Sequence, residues 1–195
     1  MVGDVGRARV VLITGAPGSG KSTLGAQLAA ALRVPFLARD DVRGGLLLTA
    51  GAWTGELSRV PSGDEAVDAF LDTVEGLLAR GVSCVVEYVV RTQRPEDLER
   101  IVAAGDCVVI MTRCDDPMER VVERNLSDRL IANPAVLSAI GAASVAEHTE
   151  ALVDRMQQVV HDMRVEFPVP VMHVDTNGES EPDLDAMIAF ATRRG

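Results

Sequence analysis

Between an apolar run, Arg9 to Thr14, and a helix-like segment, Thr23 to Arg33, the chain reads Gly15-Ala16-Pro17-Gly18-Ser19-Gly20-Lys21-Ser22. This is a complete GxxxxGK(S/T) pattern in the strand–turn–helix setting that gives it physical meaning. Few folds deliver a glycine-rich turn from the end of a strand straight into the start of a helix. Glycines let the backbone N–H groups turn inward, Lys21 supplies a mobile positive charge, and the Ser22 hydroxyl can ligate Mg²⁺. The unpaired N–H groups and positive dipole end of the following helix converge on the same point. Such a cradle suits the dense charge of a triphosphate, so nucleotide binding is the first expectation. The plainer reading, a turn that merely joins strand to helix, does not account for both flanks and the full motif together.

The rest of the chain alternates apolar runs of strand length with amphipathic segments of helix length, without repeats or low-complexity tracts. Strands are expected at Arg9 to Thr14, Pro35 to Ala38, Ser83 to Tyr88, Cys107 to Thr112 and Val169 to Val174. Each is nearly all apolar, as strands covered on both faces require. Helices are expected at Lys21 to Arg33, Asp64 to Arg80, Glu96 to Ala104, Met118 to Arg124, Ser144 to Val165 and Pro182 to Arg194. Ser62 with Glu65, and Ser180 with Asp183, have the spacing of capping boxes. The pattern predicts an α/β fold, a three-layer αβα sandwich on a five-stranded parallel sheet, with ligands at the carboxyl ends of the strands. A single domain over residues 8–195 follows, after a flexible start over residues 1–7.

The 195 residues carry a formal net charge of −10 and three cysteines. An acidic surface repels long nucleic acid, although a polynucleotide end in a local basic cleft remains open. Cys84 and Cys107 sit in apolar runs and Cys114 follows one, with neither paired nor metal-ligand spacing. A reducing, cytoplasmic setting is expected. No apolar run reaches the roughly 18 residues of a membrane span.

Three further constellations lie just past expected strands. The first is Arg39-Asp40-Asp41-Val42-Arg43. Phosphoryl transfer to a hydroxyl needs an acceptor for the departing proton, and Asp40 is the candidate base. Arg43 could hold the acceptor or the transferring group. Alternatively Asp40 or Asp41 caps a short helix, with the arginines as solvated partners. The second is Glu87, which could hold Mg²⁺ beside Ser22 or serve as a salt-bridged rim carboxylate. Beyond it, Arg91 and Arg94 either line an acceptor pocket or cap the next helix. The third is the run Arg113, Arg120, Arg124 and Arg129. If the helix breaks near Asn125, Arg124 and Arg129 could swing over the triphosphate as a lid. A surface helix neutralised by Glu119, Glu123 and Asp128 accounts for the same charges.

In this order the four pieces resemble the P-loop kinase group that holds polynucleotide 5′-kinase, chloramphenicol phosphotransferase and the zeta toxins, with an ATPase domain of AAA type. The family loop GxPGSGKST is matched by Gly15, Pro17, Gly18, Ser19, Gly20, Lys21, Ser22 and Thr23, and its RDDxR segment by Arg39, Asp40, Asp41 and Arg43. The resemblance implies the P-loop NTPase fold with a small helical lid, ATP and Mg²⁺ as ligands, Asp40 as the base and Arg43 at the acceptor. The family's R-N pair and following arginine are similar to Arg124-Asn125 and Arg129, implying a lid near residues 124–143. Two departures stand out. Glu87 occupies the place of an aspartate, and the spacing before Arg129 is one residue longer. No phosphatase-like domain follows, so a two-domain end-healing enzyme is not expected.

Asp175-Thr176-Asn177-Gly178 follows the last strand; in similar kinases this loop packs on the adenine, and it reads equally as an ordinary turn. A GTPase reading fails for want of an NKxD motif. His148, His161 and His173 lack metal spacing and read as solvated or packed. Trp53, in the patternless stretch Gly51 to Gly63, either walls an acceptor pocket or covers the sheet edge. Acceptor selectivity is expected near residues 43–70, where loops sit on a rigid scaffold. The chain therefore reads as an ATP-dependent phosphotransferase acting on a hydroxyl of a small or nucleotide-like acceptor. The rival is a nucleotide-dependent switch or assembly factor with no metabolite acceptor. Neither the acceptor nor the oligomeric state is encoded in a recognisable pattern.

Overall fold

A computed structural model describes residues 6–55, 57–128, 132–161 and 166–193. Residues 1–5, most of the expected flexible start, lie outside these. The elements run β1 (Arg9–Gly15), α1 (Lys21–Leu32), β2 (Phe36–Ala38), α2 (Arg39–Thr49), α3 (Gly63–Ala79), β3 (Cys84–Glu87) and α4 (Pro95–Ala104). They continue as β4 (Asp106–Arg113), α5 (Pro117–Ser127), α6 (Pro134–Ala139), α7 (Val145–His161), β5 (Val171–Asp175) and α8 (Leu184–Thr192).

The strands form one parallel sheet in the order β2-β3-β1-β4-β5. Central β1 is the strand whose residues are most completely enclosed. Its side chains split by the two-residue period of a strand. Val10 and Leu12 join Cys84, Val86, Cys107 and Val109 beneath α3 and α4, packed on Phe70, Leu71, Val74 and Ile101. Val11 and Ile13 join Val85, Val108 and Ile110 on the opposite face, beneath α1 and α8, packed on Leu24, Leu28 and Met187. Two apolar layers on one sheet make the three-layer sandwich, and they explain why the strand sequences carry no polar alternation.

This topology fixes where ligands go. The chain leaves β1 toward β2 and β3 on one side and reaches β4 and β5 on the other, so a crevice opens at the carboxyl end of β1. The register sets Ile13 beside Glu87 and Gly15 beside Thr112. Glu87 and the glycine-rich loop therefore emerge at one edge.

Several expectations change in detail. Arg39 to Thr49 is a helix from its first residue, with Ala38 as its N-cap and Asp40 and Asp41 in its first turn, so neither aspartate is the cap. The glycine pair Gly44-Gly45 hides this helix from a propensity reading. The Ser180 capping box is not formed. Asp183 is the N-cap of α8, its carboxylate accepting from the Ala186 N–H at 2.9 Å, and the helix starts at Leu184. Helix α5 does not break near Asn125 but continues to Ser127. The short α6 was not foreseen. Its N-cap Asn133 accepts from the Ala135 N–H at 2.9 Å.

The Ser62 capping box is formed as the spacing predicts. The Glu65 N–H donates to the Ser62 hydroxyl at 3.0 Å, and the Ser62 N–H donates to the Glu65 carboxylate at 2.8 Å. Ser62→Ala is expected to lower stability by about 1 kcal/mol in urea unfolding, with an unchanged slope. No loss would mean that α3 is held by its packing alone.

Candidate active site

The site begins with the turn after β1. Gly18 adopts φ 80°, in the left-handed region that favours glycine. A Cβ there would lie 1.9 Å from the Pro117 carbonyl oxygen, and one on Gly15 would lie 2.4 Å from that of Thr112. The turn is thus pressed against β4 and the start of α5 with no room for side chains. Hydroxyls pin it. The Ser19 and Thr112 hydroxyls share a hydrogen bond of 2.6 Å, and Thr112 donates to the Thr14 carbonyl at 3.2 Å. The Thr176 hydroxyl lies 3.0 Å from the Ser19 carbonyl and 3.1 Å from that of Arg113, sharing its proton between them. Arg120 in turn donates to the Thr176 carbonyl at 3.0 Å. Thr176 therefore rests on the phosphate loop, and Arg120 holds the loop after β5.

Lys21 opens α1 with only 5% of its surface exposed, and its ammonium donates to the Ala16 carbonyl at 2.8 Å, folded back across the loop. A buried ammonium beside a glycine-rich turn at the N-terminus of a helix is suited to an anion. Ser22 and Thr23 follow on the exposed side.

Across from the loop lies a cleft of about 660 Å³. Its polar wall holds Ser22, Asp40, Arg43, Glu87 and Arg91, so candidates from three separate segments face one volume. Asp40 is well exposed, two-thirds of its side chain meeting solvent, and lies 3.2 Å from the Arg39 guanidinium. Ser22 supplies a hydroxyl and Glu87 a carboxylate. Such hard oxygen donors fit Mg²⁺, whose remaining positions are taken by water and phosphate oxygens.

Arg91 and Arg94 take different roles. Arg91 lines the cleft and hydrogen-bonds the Tyr88 side chain. Arg94 is the N-cap residue of α4 and is committed to ion pairs with Asp64 and, at 3.0 Å, Asp97. Asp97 is 1% exposed and also accepts from the Tyr88 hydroxyl. Tyr88 stacks on Phe70 with ring centroids 5.7 Å apart. Burial, then the bond to Asp97, pushes the Tyr88 phenol up to about 12, so it remains the donor. This chain of buried partners fixes the segment after β3 on the core and carries Arg91 at the cleft.

The facing wall was missed in the sequence. It comes from α6 and α7, where Val136, Ile140, His148, Leu152 and Met156 meet the cleft. Spacing of four residues from His148 to Met156 was the available signal, but on its own it cannot separate a ligand wall from a core face. Among the described residues of 43–70, Arg43, Gly44 and Leu47 line the cleft. Trp53 is 54% exposed and not part of the lining. Its neighbourhood is nonetheless ordered around Leu47, Ala52 and Val136, and the Asn133 amide donates to the Ala52 carbonyl at 2.6 Å. That bond clasps the start of α6 to the turn after α2. Arg124 belongs to α5, but its side chain lies outside the described residues, as does all of Arg129.

The cysteines behave as small apolar groups. Burial pushes the Cys84 thiol up to about 11 and that of Cys107 up to about 12. Among the described residues no helix is long and apolar enough to cross a membrane, and no cluster of three His, Cys, Asp or Glu could hold a metal.

The family model described as AAA domain matches residues 11–140, from β1 through the clasp. No curated protein matches by sequence. Among solved structures, a candidate kinase from Chloroflexus aurantiacus is similar, at 22% identity and a TM-score of 0.63, covering 94% of this chain and 96% of the other. A gluconokinase from Sinorhizobium meliloti 1021 matches at 18% identity and a TM-score of 0.51, over 95% and 90% of the two chains. Shikimate kinase from Acinetobacter baumannii, solved with shikimate, matches at 16% identity and a TM-score of 0.50, over 94% and 89%. At these identities the likeness establishes a shared fold.

The close approach at Gly18 is directly testable. Gly18→Ala is expected to cost at least about 1–2 kcal/mol from strain at positive φ and to weaken nucleotide binding severely. Calorimetric titration with ATP and a thermal melt read both effects. An unchanged midpoint and affinity would contradict this loop conformation.

Proposed function

The chain belongs to the AAA domain family, and from that premise we propose that it is an ATP-dependent phosphotransferase whose acceptor is a hydroxyl of a small molecule. One observation carries the reading: Ser22 of the phosphate loop shares a single cleft with Asp40, Arg43, Glu87 and Arg91. A switch would need a nucleotide site alone. Room beside the nucleotide site with a carboxylate facing it is what transfer to an acceptor requires. The full-length likeness to kinase folds supports the same conclusion, and two of those kinases are named for small hydroxylated acids. The GxPGSGKST and RDDxR matches favour the group of polynucleotide 5′-kinase, chloramphenicol phosphotransferase and zeta toxins within it.

In the proposed reaction the loop amides and Lys21 hold the phosphate chain of ATP, and Thr176 stands where the nucleotide passes the loop. Ser22 and Glu87 would hold a magnesium ion, which supplies charge neutralisation on the phosphates when bound. Arg43 and Arg91 orient the acceptor. Its hydroxyl oxygen forms the new bond to the γ-phosphorus while the bond from that phosphorus to the β–γ bridging oxygen breaks, and ADP departs. The hydroxyl proton passes to the Asp40 carboxylate. Arg124 and Arg129, assigned by the family resemblance, meet the charge that spreads over the transferring group.

Asp40→Asn is expected to retain ATP affinity within about threefold and to lower transfer by about 10²–10⁴-fold. Lys21→Ala is expected to weaken both binding and transfer. Transfer of label from γ-labelled ATP to an alcohol panel, beside calorimetric ATP binding, separates the effects. Full transfer by the Asp40 variant would remove it as the base, and ATP hydrolysis with no labelled acceptor would favour the switch.

A further inference from the structure

Arg91 reaches the cleft from a segment whose backbone is tied down on both sides of it. Before it, the Tyr88 N–H donates to the Ile13 carbonyl at 3.1 Å and the Val90 N–H to the Thr14 hydroxyl at 3.2 Å, so the segment is bonded to the two residues that precede Gly15. After it, the Arg94 N–H donates to the Arg91 carbonyl at 3.2 Å and the Asp97 N–H to the Arg94 carbonyl at 3.3 Å, which leads the chain into α4. This fixes the Arg91 backbone relative to the phosphate loop. Its long side chain is a separate matter, because ordering a rotamer-rich arginine only when a ligand arrives costs on the order of tenfold in affinity.

Tyr88 supplies that order beforehand. A phenol has one proton to give and lone pairs to receive with. The proton goes to Asp97, whose carboxylate is buried and accepts only, and the Arg94 guanidinium lies 3.0 Å from the same carboxylate oxygen. The ring is 3% exposed and stacked on Phe70, so the hydroxyl has no other direction to take. Its oxygen is left facing the Arg91 guanidinium, which carries donors only and hydrogen-bonds it. From this arrangement we infer that Tyr88 is a positioning residue for the acceptor: its hydroxyl, turned by Asp97, holds the Arg91 guanidinium at the cleft before the acceptor enters. The inference rests on the phosphotransfer reading. A phenylalanine in its place keeps the ring, the stack on Phe70 and the burial, and loses only the oxygen that Arg91 binds. Tyr88 also lines the cleft, so direct contact with the acceptor is the competing role that the experiment separates.

The test uses the full chain with Mg²⁺, γ-labelled ATP and D-gluconate, shikimate, chloramphenicol and a 5′-hydroxyl oligonucleotide as acceptors, and follows whichever of them is labelled. Tyr88→Phe is expected to raise the acceptor KM about five- to tenfold, with the KM for ATP within about twofold. Arg91→Ala is expected to raise the acceptor KM about tenfold or more. The variant carrying both changes decides the matter: if Tyr88 acts through Arg91, its acceptor KM equals that of Arg91→Ala within about twofold. A further loss of about fivefold in the double variant, or a KM unmoved by Tyr88→Phe, would overturn the inference while leaving phosphotransfer standing. Nitrogen NMR with arginine-selective labelling gives a readout that needs no acceptor. The Arg91 guanidinium signals, identified by their disappearance in Arg91→Lys, are expected to shift and broaden in Tyr88→Phe, while those of Arg100, held by Asp72 and Glu75, stay in place. Unchanged Arg91 signals would overturn the inference whatever the kinetics. If ATP is hydrolysed with none of these acceptors labelled, the switch reading gains, and shifted Arg91 signals would still uphold the placement of Arg91 by Tyr88.

Discussion

The backbone of residues 15–20 is pressed against β4 and the start of α5, and the rest of the site depends on that contact. Thr112 and Pro117 leave no space for a Cβ on Gly15 or Gly18, while the Ser19 and Thr112 hydroxyls bind each other at 2.6 Å. Because β1 is hydrogen-bonded to β3 on one side and β4 on the other, the loop inherits the rigidity of the most buried part of the sheet. Rigidity matters here. A cradle of N–H groups binds a polyanion strongly only if its dipoles are held in place before the ligand arrives.

From that fixed loop the remaining chemistry is placed by strand register and helix starts. Ile13 and Glu87 are neighbours across β1 and β3, and Ala38 and Glu87 are neighbours across β2 and β3, so Asp40 begins its helix close to the same edge. The Tyr88, Asp97, Arg94 and Asp64 chain then secures the segment after β3, since a carboxylate as buried as Asp97 is tolerable only with partners on both sides. α6 is held by the Asn133–Ala52 bond and by a small apolar cluster, a lighter attachment than the two layers on the sheet, and α7 packs against α5. Such an arrangement allows this side of the cleft to vary without disturbing the loop after β1.

Much of this is legible in the sequence where one local signal decides. The motif at Gly15 to Ser22, the continuous apolar strands and the Ser62-Glu65 spacing each correspond to one physical requirement, and each appears at its expected place. The Arg39 to Arg43 helix was obscured because Gly44 and Gly45 lower its propensity, and packing of Leu47 overrides that. Ser180 and Asp183 compete as caps of one helix, and spacing alone could not choose between them. His148 reads in the sequence as solvated or packed, and its place on the cleft lining depends on tertiary structure that no local pattern reports. The side of the cleft formed by α6 is placed by tertiary contacts of Leu47 and Ala52 with Val136, so no short pattern could report it.

The most direct measurement is a crystal structure with AMPPNP, Mg²⁺ and a bound alcohol acceptor. Phosphoryl transfer at this cleft requires an Asp40 carboxylate oxygen within about 3 Å of the acceptor hydroxyl, with that hydroxyl in line with the γ-phosphorus. Asp40 turned away from the acceptor and paired only with Arg39, in a complex whose triphosphate is seated on Lys21 and Ser22, would contradict it.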